Sequence, residues 1–241
     1  MSLRFADSYT SVARVTNCAE LQQEVVRFAK QLGFETVTAM GVIDVAHDKT
    51  QFAWVDNTPE EYRAQYSDLE GGKRDPIMQH CKHAATPIAW NQETYVVAGQ
   101  GPKWELQAAY GYRTGIAVAA HLPRGLHFFI GADRDQALPA DADVVSRLAV
   151  DMQLFIAHAQ DVALKVLFDL SEDEREAPCL TPRELEALRW TMEAKTAWEV
   201  GRILSISEQT AVRHLDNAAC KLDCINKHHA VVKALRLGLV R

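Results

Sequence analysis

Four helix-start signals crowd residues 181–226, and they constrain the chain more than any other feature. Thr181 stands before Pro182 and three residues before Glu184, so its hydroxyl can accept from the Glu184 amide while the carboxylate returns to the Thr181 amide. "TAWE" (196–199) repeats the device with Thr196 and Glu199, and Ser207 and Asn226 are caps for two further helices. Leu185, Leu188, Trp198, Ile203, Leu204, Leu215, Leu222, Ala230 and Ala234 recur at core spacing between them. The pattern predicts an all-α bundle of four short helices over 180–241, small but able to fold without a metal.

Only "LSIS" joins the second and third of these helices, as in a helix-turn-helix whose third element enters the major groove. Gln209, Thr210, Arg213 and Asn217 then lie on or near the exposed face. Arg213 could donate two hydrogen bonds to a guanine edge, worth about 1–3 kcal/mol of discrimination. Lys195, Arg202, Lys221, Lys227 and Lys233 suit phosphates, which add affinity without sequence choice. A solvated charged helix face explains the same residues equally well. The net charge of −6 does not decide between them. Residues 180–241 hold ten Lys/Arg against seven Asp/Glu, a balance of +3, which leaves 16 against 25, or −9, upstream. Fields from that acidity are screened beyond about 8 Å at physiological salt.

The length suggests two unequal domains. "FDLSEDEREAPC" (168–179), with five acids and a proline, reads as the linker. Before it, Val144, Val145, Leu148, Met152, Phe155, Ile156, Ala159, Val162 and Val166 mark one long amphipathic helix over 139–167. It would pack on its own domain, with a dimer seam as the other use of that face. Residues 36–45, 51–55, 114–122 and 126–132 have strand composition, the last two joined by Pro123, Arg124 and Gly125. Helical patterns run over 18–33, 59–69 and 102–112. The expected class is α+β: an α/β/α sandwich around an antiparallel sheet, able to enclose a small molecule, followed by the helical bundle.

No apolar run reaches the roughly 18 residues of a membrane span, and the N-terminus lacks a signal-peptide core, so a cytoplasmic protein with no membrane contact is expected. Five cysteines without framework spacing are expected as reduced thiols. Cys220, Cys224 and His228 imitate metal ligands at helical spacing but lack a second pair, so no metal site is assigned. "HCKH" (80–83) lacks the carboxylates and further histidines of a hydrolytic centre, so no catalytic residue is assigned. Control by phosphorylation would need a repeating βα pattern, which these strands do not follow.

In the N-terminal part, Thr58, Pro59 and Glu61 form a third capping box, which sets Tyr62 and Tyr66 one turn apart on one helix face. Asp75 precedes Pro76 after a glycine-rich loop, and Trp90 follows. Taken alone, Tyr62, Tyr66 and Trp90 are core aromatics and Asp75 is a helix cap.

"LTPRELEALRW" and "KTAWEVGRILSISEQTAVRHLDNAACKL" resemble the DNA-binding domain of LuxR-type quorum-sensing regulators, and "TPEEYRAQY…RDP…W" resembles that family's signal-binding block. The resemblance implies an autoinducer-binding sensor at 1–167, a linker at 168–179 and a helix-turn-helix at 180–241. It implies that Asp75 accepts the amide N–H of an acyl-homoserine lactone, that Tyr66 donates to the acyl carbonyl, and that Trp90 packs on the ligand. Gly115 matches a further hallmark, a position of close backbone packing. Implied partners are a second copy of the chain, duplex DNA with an inverted-repeat site, and RNA polymerase, with no cofactor beyond the signal. Departures are Ala194 for the usual glycine before "KT", Ala218 and Cys220 late in the recognition helix, and Tyr62 for the usual tryptophan. Ala117 and Phe129 stand where some relatives carry hydroxyls, which favours an aryl or branched acyl group. The other reading is a regulator without its own synthase, sensing a non-lactone or plant-derived molecule.

Overall fold

The computed structural model describes residues 5–45, 49–65, 74–169 and 179–241. The chain divides into two compact units, Met1–Leu122 with Leu126–Leu170, and Ser171–Arg241 with Pro123–Gly125. Most of the acidic stretch assigned as a linker, and Tyr66, fall outside the described residues.

The first unit is built on a five-stranded antiparallel sheet in the order β2-β1-β5-β4-β3. Its strands are β1 (Thr36–Val45), β2 (Lys49–Asp56), β3 (Ile88–Trp90), β4 (Thr114–Leu122) and β5 (Leu126–Arg134). Side chains alternate between the two faces of a strand, and here the alternation separates two cores. Ile116, Val118, Phe128, Ile130, Val37 and Ala39 point to one face. That face is covered by α1 (Ala6–Val12), α2 (Cys18–Gln31) and α7 (Ala142–Phe168), through Val12, Leu21, Phe28, Met152 and Phe155. Ala117, Ala119 and Phe129 occupy the intervening positions and belong to a second cluster. This cluster lies under α3 (Glu60–Gln65), α4 (Pro76–His83), α5 (Gln92–Val97) and α6 (Gly101–Ala108). The α/β/α layering follows from that parity.

Local chemistry explains the element boundaries. Asn17 caps α2 by accepting from the Glu20 amide, and Gly33, at φ +84°, ends its last turn. Asp141 caps α7, whose Leu148, Met152, Phe155, Ile156 and Ala159 are buried in their own unit. Two expectations change here. The helix carrying Tyr62 opens at Glu60, and the Thr58 N–H donates to Asp56 Oδ1 (3.1 Å) instead of opening a capping box. Strand β3, with three residues, and helices α1 and α5 were not anticipated, being too short to show a period, while α4 was anticipated only through Asp75 as its cap.

The second unit holds α8 (Pro182–Met192), α9 (Ala197–Leu204), α10 (Glu208–Lys221) and α11 (Lys227–Arg236). Both capping boxes close, and Ser207 and Asn226 cap α10 and α11. Leu188, Val200, Ala211, Leu215, Ala218, Leu222, Ala230 and Ala234 form the core. Trp198 and Ile203, expected there, are 55% and 42% exposed. The buried face of α9 is Val200 and Gly201 instead, because the turn into α10 passes directly over Gly201.

Candidate functional site

Asp75 is the centre of the first candidate site. As the N-cap of α4, before Pro76, its Oδ1 accepts from the Ile77 (2.9 Å) and Met78 (3.1 Å) amides. Its Oδ2 lies 2.7 Å from Lys103 Nζ and accepts from the Tyr95 hydroxyl (3.1 Å). The residue is 7% exposed. Helix capping and site chemistry therefore use one carboxylate.

Aromatic rings enclose it. Tyr62 stacks on Tyr112 with centroids 4.6 Å apart and tilts against Tyr110 at 5.2 Å, while Trp90 meets Tyr95 edge-on at 5.5 Å. Burial, reinforced by Asp75, pushes the Tyr95 hydroxyl far above its usual range, so it stays a donor. The same two causes push the Cys81 thiol up to about 12, which leaves it unreactive.

The floor is the sheet. Trp90, Gly115, Asp133 and Thr36 share one rung, and Ile88, Ala117, Gly131 and Thr38 the next. A Cβ on Gly115 would come within 2.6 Å of the Ala132 carbonyl, Asp133 Oδ1 and Trp90 Nε1, so only glycine fits. The Phe129 ring lies over Gly131, whose Cβ would meet it at 2.9 Å. Ala117 is fully buried on this floor. Burial, with the charge of Asp75 second, pushes the Asp133 carboxyl up to about 8.

The structure thus brings Tyr62, Asp75, Trp90, Ala117 and Phe129 into one cluster. Sequence reasoning missed Lys103, Tyr95 and Asp133. Asp133 was legible in principle, as an acid at the same strand parity as Phe129. Lys103 was not, because it reaches Asp75 from another helix.

In the second unit, Ser205 ends α9 in the left-handed region at φ +57°, and Ser207 opens α10 by accepting from the Thr210 amide (3.1 Å). A Cβ on Gly201 would approach the Ile206 carbonyl to 2.9 Å, so this glycine permits the tight turn. The inner face of α10 is Ala211, Leu215, Ala218 and Ala219, which leaves Gln209, Arg213 and Asn217 exposed. Thr210 is half-buried, its hydroxyl 2.8 Å from Ser207 Oγ. Lys195 and Lys227 are half-buried at the start of the turn before α9 and at the first position of α11. Arg202 lies over the Trp198 ring at 5.4 Å.

Lys221 has another partner than the phosphate expected for it. Its Nζ is 2.8 Å from Glu184 Oε2, and the Glu184 carboxylate also accepts from the Thr181 amide (2.7 Å). Burial by itself raises the Glu184 pKa, but bonds from Lys221 and Thr181 outweigh it and hold the carboxyl below its usual range. Ala194, where the family has glycine, sits in the left-handed region at φ +59°.

The autoinducer binding domain family matches residues 17–162, and the bacterial regulatory proteins of the luxR family match residues 178–234. The chain belongs to the LuxR family of regulators. It is 30% identical to the transcriptional activator protein AnoR of Acinetobacter nosocomialis, over 94% of each chain. The crystal structure of Escherichia coli SdiA superposes with a TM-score of 0.71 at 27% identity, covering 98% of this chain and 99% of that one. SdiA in complex with octanoyl-rac-glycerol gives 0.70 at 25% identity, covering 99% and 98%. As a LuxR-family member the chain joins an autoinducer-binding domain to a helix-turn-helix DNA-binding domain, and its homologues are quorum-sensing transcriptional activators. The family is one of transcriptional regulators rather than enzymes. Among the described residues no helix is long and apolar enough to cross a membrane.

Proposed function

We propose that the first unit binds an N-acyl-homoserine lactone and that occupancy sets DNA binding by the second unit in a cytoplasmic homodimer. The observation that carries this reading is the Asp75 carboxylate, buried among Tyr62, Tyr95, Tyr112 and Trp90 over a floor of Gly115 and Ala117. In the proposed complex the ligand amide N–H donates to Asp75, and the acyl chain lies along Ala117 and Phe129. Both are apolar, and an unmatched 3-oxo carbonyl buried there costs about 1–3 kcal/mol, so a compact aryl or branched acyl group is preferred.

Arg213 is proposed to read a base edge, with Gln209 and Asn217 beside it, and Lys195 and Lys227 to hold phosphates of an inverted-repeat site. The exposed Trp198 and Ile203 on α9 offer the surface we assign to RNA polymerase. Ligand that binds only the DNA-competent arrangement shifts the population toward it.

Calorimetry on D75N is the test. Asparagine caps a helix about as well as aspartate, so α4 keeps its start while the anionic acceptor and the counter-charge of Lys103 are lost, and thermal melts check that the variant is folded. Affinity should fall by about 1–3 kcal/mol, roughly 5- to 150-fold, and unchanged affinity would refute the assignment. A reporter strain without a synthase, dosed with aryl, branched, straight and 3-oxo lactones, tests the acyl preference. Superior 3-oxo compounds would overturn it. The second reading, a non-lactone signal, is favoured by Tyr62 in place of tryptophan and by the octanoyl-rac-glycerol held by SdiA. Mass spectrometry of small molecules extracted from the protein separates the two.

A further inference from the structure

Asp133 has no part in the reading above, yet it occupies the same floor. Its carboxyl shares the rung of Gly115 and Trp90, on the face that carries Ala117 and Phe129. The missing side chain of Gly115 lets Asp133 Oδ1 and Trp90 Nε1 converge, each 2.6 Å from the point a Cβ would occupy. An indole N–H and a carboxyl therefore meet over one backbone atom. Both lie on the side of the sheet where Asp75 is buried.

We propose that Asp133 is a specificity-determining residue of the sensor site, donating a hydrogen bond to a carbonyl oxygen of the ligand beside the Trp90 indole N–H. The assignment rests on the ligand reading above. It adds that a ligand giving its amide N–H to Asp75 must also present a carbonyl oxygen to the Gly115 rung.

The surrounding charges say why Asp133 donates. Among the described residues, the titratable groups packed over this floor are Tyr62 of α3, Asp75 and Cys81 of α4, Tyr95 of α5, Lys103 of α6, and Tyr112, with Asp56 of β2 beside Tyr112 and paired with Arg63. On the sheet itself, the neighbouring positions Thr36, Thr38 and Met40 of β1 carry no charge. Among the described residues Lys103 is the cation of the set, and at 2.7 Å it is paired with Asp75. A second carboxylate in the same part-buried space would face Asp75 without a counter-charge of its own among the described residues. The neutral acid avoids that repulsion, in line with a carboxyl pushed up to about 8. A neutral carboxyl offers one O–H donor, which fits a carbonyl oxygen.

The test is calorimetry on the full-length protein and on D133N, D133A and D75N, from pH 6 to 9. The probe is N-isovaleryl-homocysteine thiolactone, a hydrolysis-resistant analogue, with ring integrity checked by mass spectrometry. Unaltered protein should lose about tenfold in affinity between pH 7 and pH 9 as the donor proton leaves. D133N keeps an N–H donor of the same shape, so it should bind within about threefold of the unaltered protein at pH 7 and show no pH dependence. D133A should bind about tenfold more weakly at pH 7, with thermal melts confirming that it is folded. Two outcomes overturn the assignment alone: D133N binding as weakly as D133A, or binding that D75N weakens while both Asp133 variants leave it unchanged. If the unaltered protein binds no probe at any pH, the lactone reading fails and this assignment falls with it.

Discussion

Replacing Lys221 by methionine separates two roles that a surface lysine on a recognition helix could play. If it serves the fold, it does so by neutralising Glu184, which is 3% exposed and also closes the capping box of α8. Removing the ammonium leaves that carboxylate with the Thr181 bonds but no counter-charge. Breaking a fully buried pair costs about 3–5 kcal/mol, and a fully exposed one about 1 kcal/mol or less. The Lys221 side chain is 39% exposed and that of Glu184 4%, so the pair lies between these limits, at about 2 kcal/mol. Glu184→Ala also loses the capping return, about 1 kcal/mol more, for a total near 3 kcal/mol. On a unit whose whole stability is about 3–9 kcal/mol, either change is large. The pH dependence has a definite sign. The Glu184 pKa is held below its ordinary value, so its contribution is present above that value and is lost as pH falls through the lowered one. Urea unfolding of the full chain, with hydrogen exchange read on peptides from 180–241, should show K221M and E184A opening that unit first. E184Q should flatten the acid limb. The salt slope of DNA binding should be unchanged in K221M. Stability within 0.5 kcal/mol of the unaltered protein, together with a salt slope reduced by about one, would show that Lys221 holds a phosphate instead.

Arg213→Ala should flatten preference at one base position in a binding-site selection, whereas Lys227→Ala should weaken all sequences alike and reduce the salt slope. Ala194→Gly should stabilise the second unit by about 0.5–1 kcal/mol in the same urea assay, since alanine at φ +59° carries the steric cost of the left-handed region. Gly201→Ala should do the reverse and weaken DNA binding too, because its Cβ would meet the Ile206 carbonyl at 2.9 Å and push α10 away. For Asp133, a carboxyl raised to about 8 gives stability that is complete below its unfolded value and is lost as pH rises through 8. Urea melts at pH 5, 6.5 and 8 should therefore show D133N gaining on the unaltered protein as pH rises.

What was legible in the sequence was what acts over three or four residues. Thr181 with Glu184, Thr196 with Glu199, and the caps at Ser207 and Asn226 are contacts at i, i+3, and each closes as read. Ala117 and Phe129 were singled out through the family resemblance, and the register of β4 with β5 is what puts them on one face. The helix that meets Trp198 or passes it by is not a local matter. A turn packed against Gly201 decided that Val200 faces inward and Trp198 outward, a choice helical spacing alone leaves open. Asp75 shows the boundary most sharply. Its cap on Ile77 and Met78 follows from Asp-Pro before a helix. Its pairing with Lys103, and its confrontation with Asp133 on one face of the sheet, exist only once α6 and β5 are brought beside α4. Charge is a property of the residue, but whether a carboxyl is a cap, an anion or a neutral donor depends on burial and neighbours, and those come from the tertiary structure.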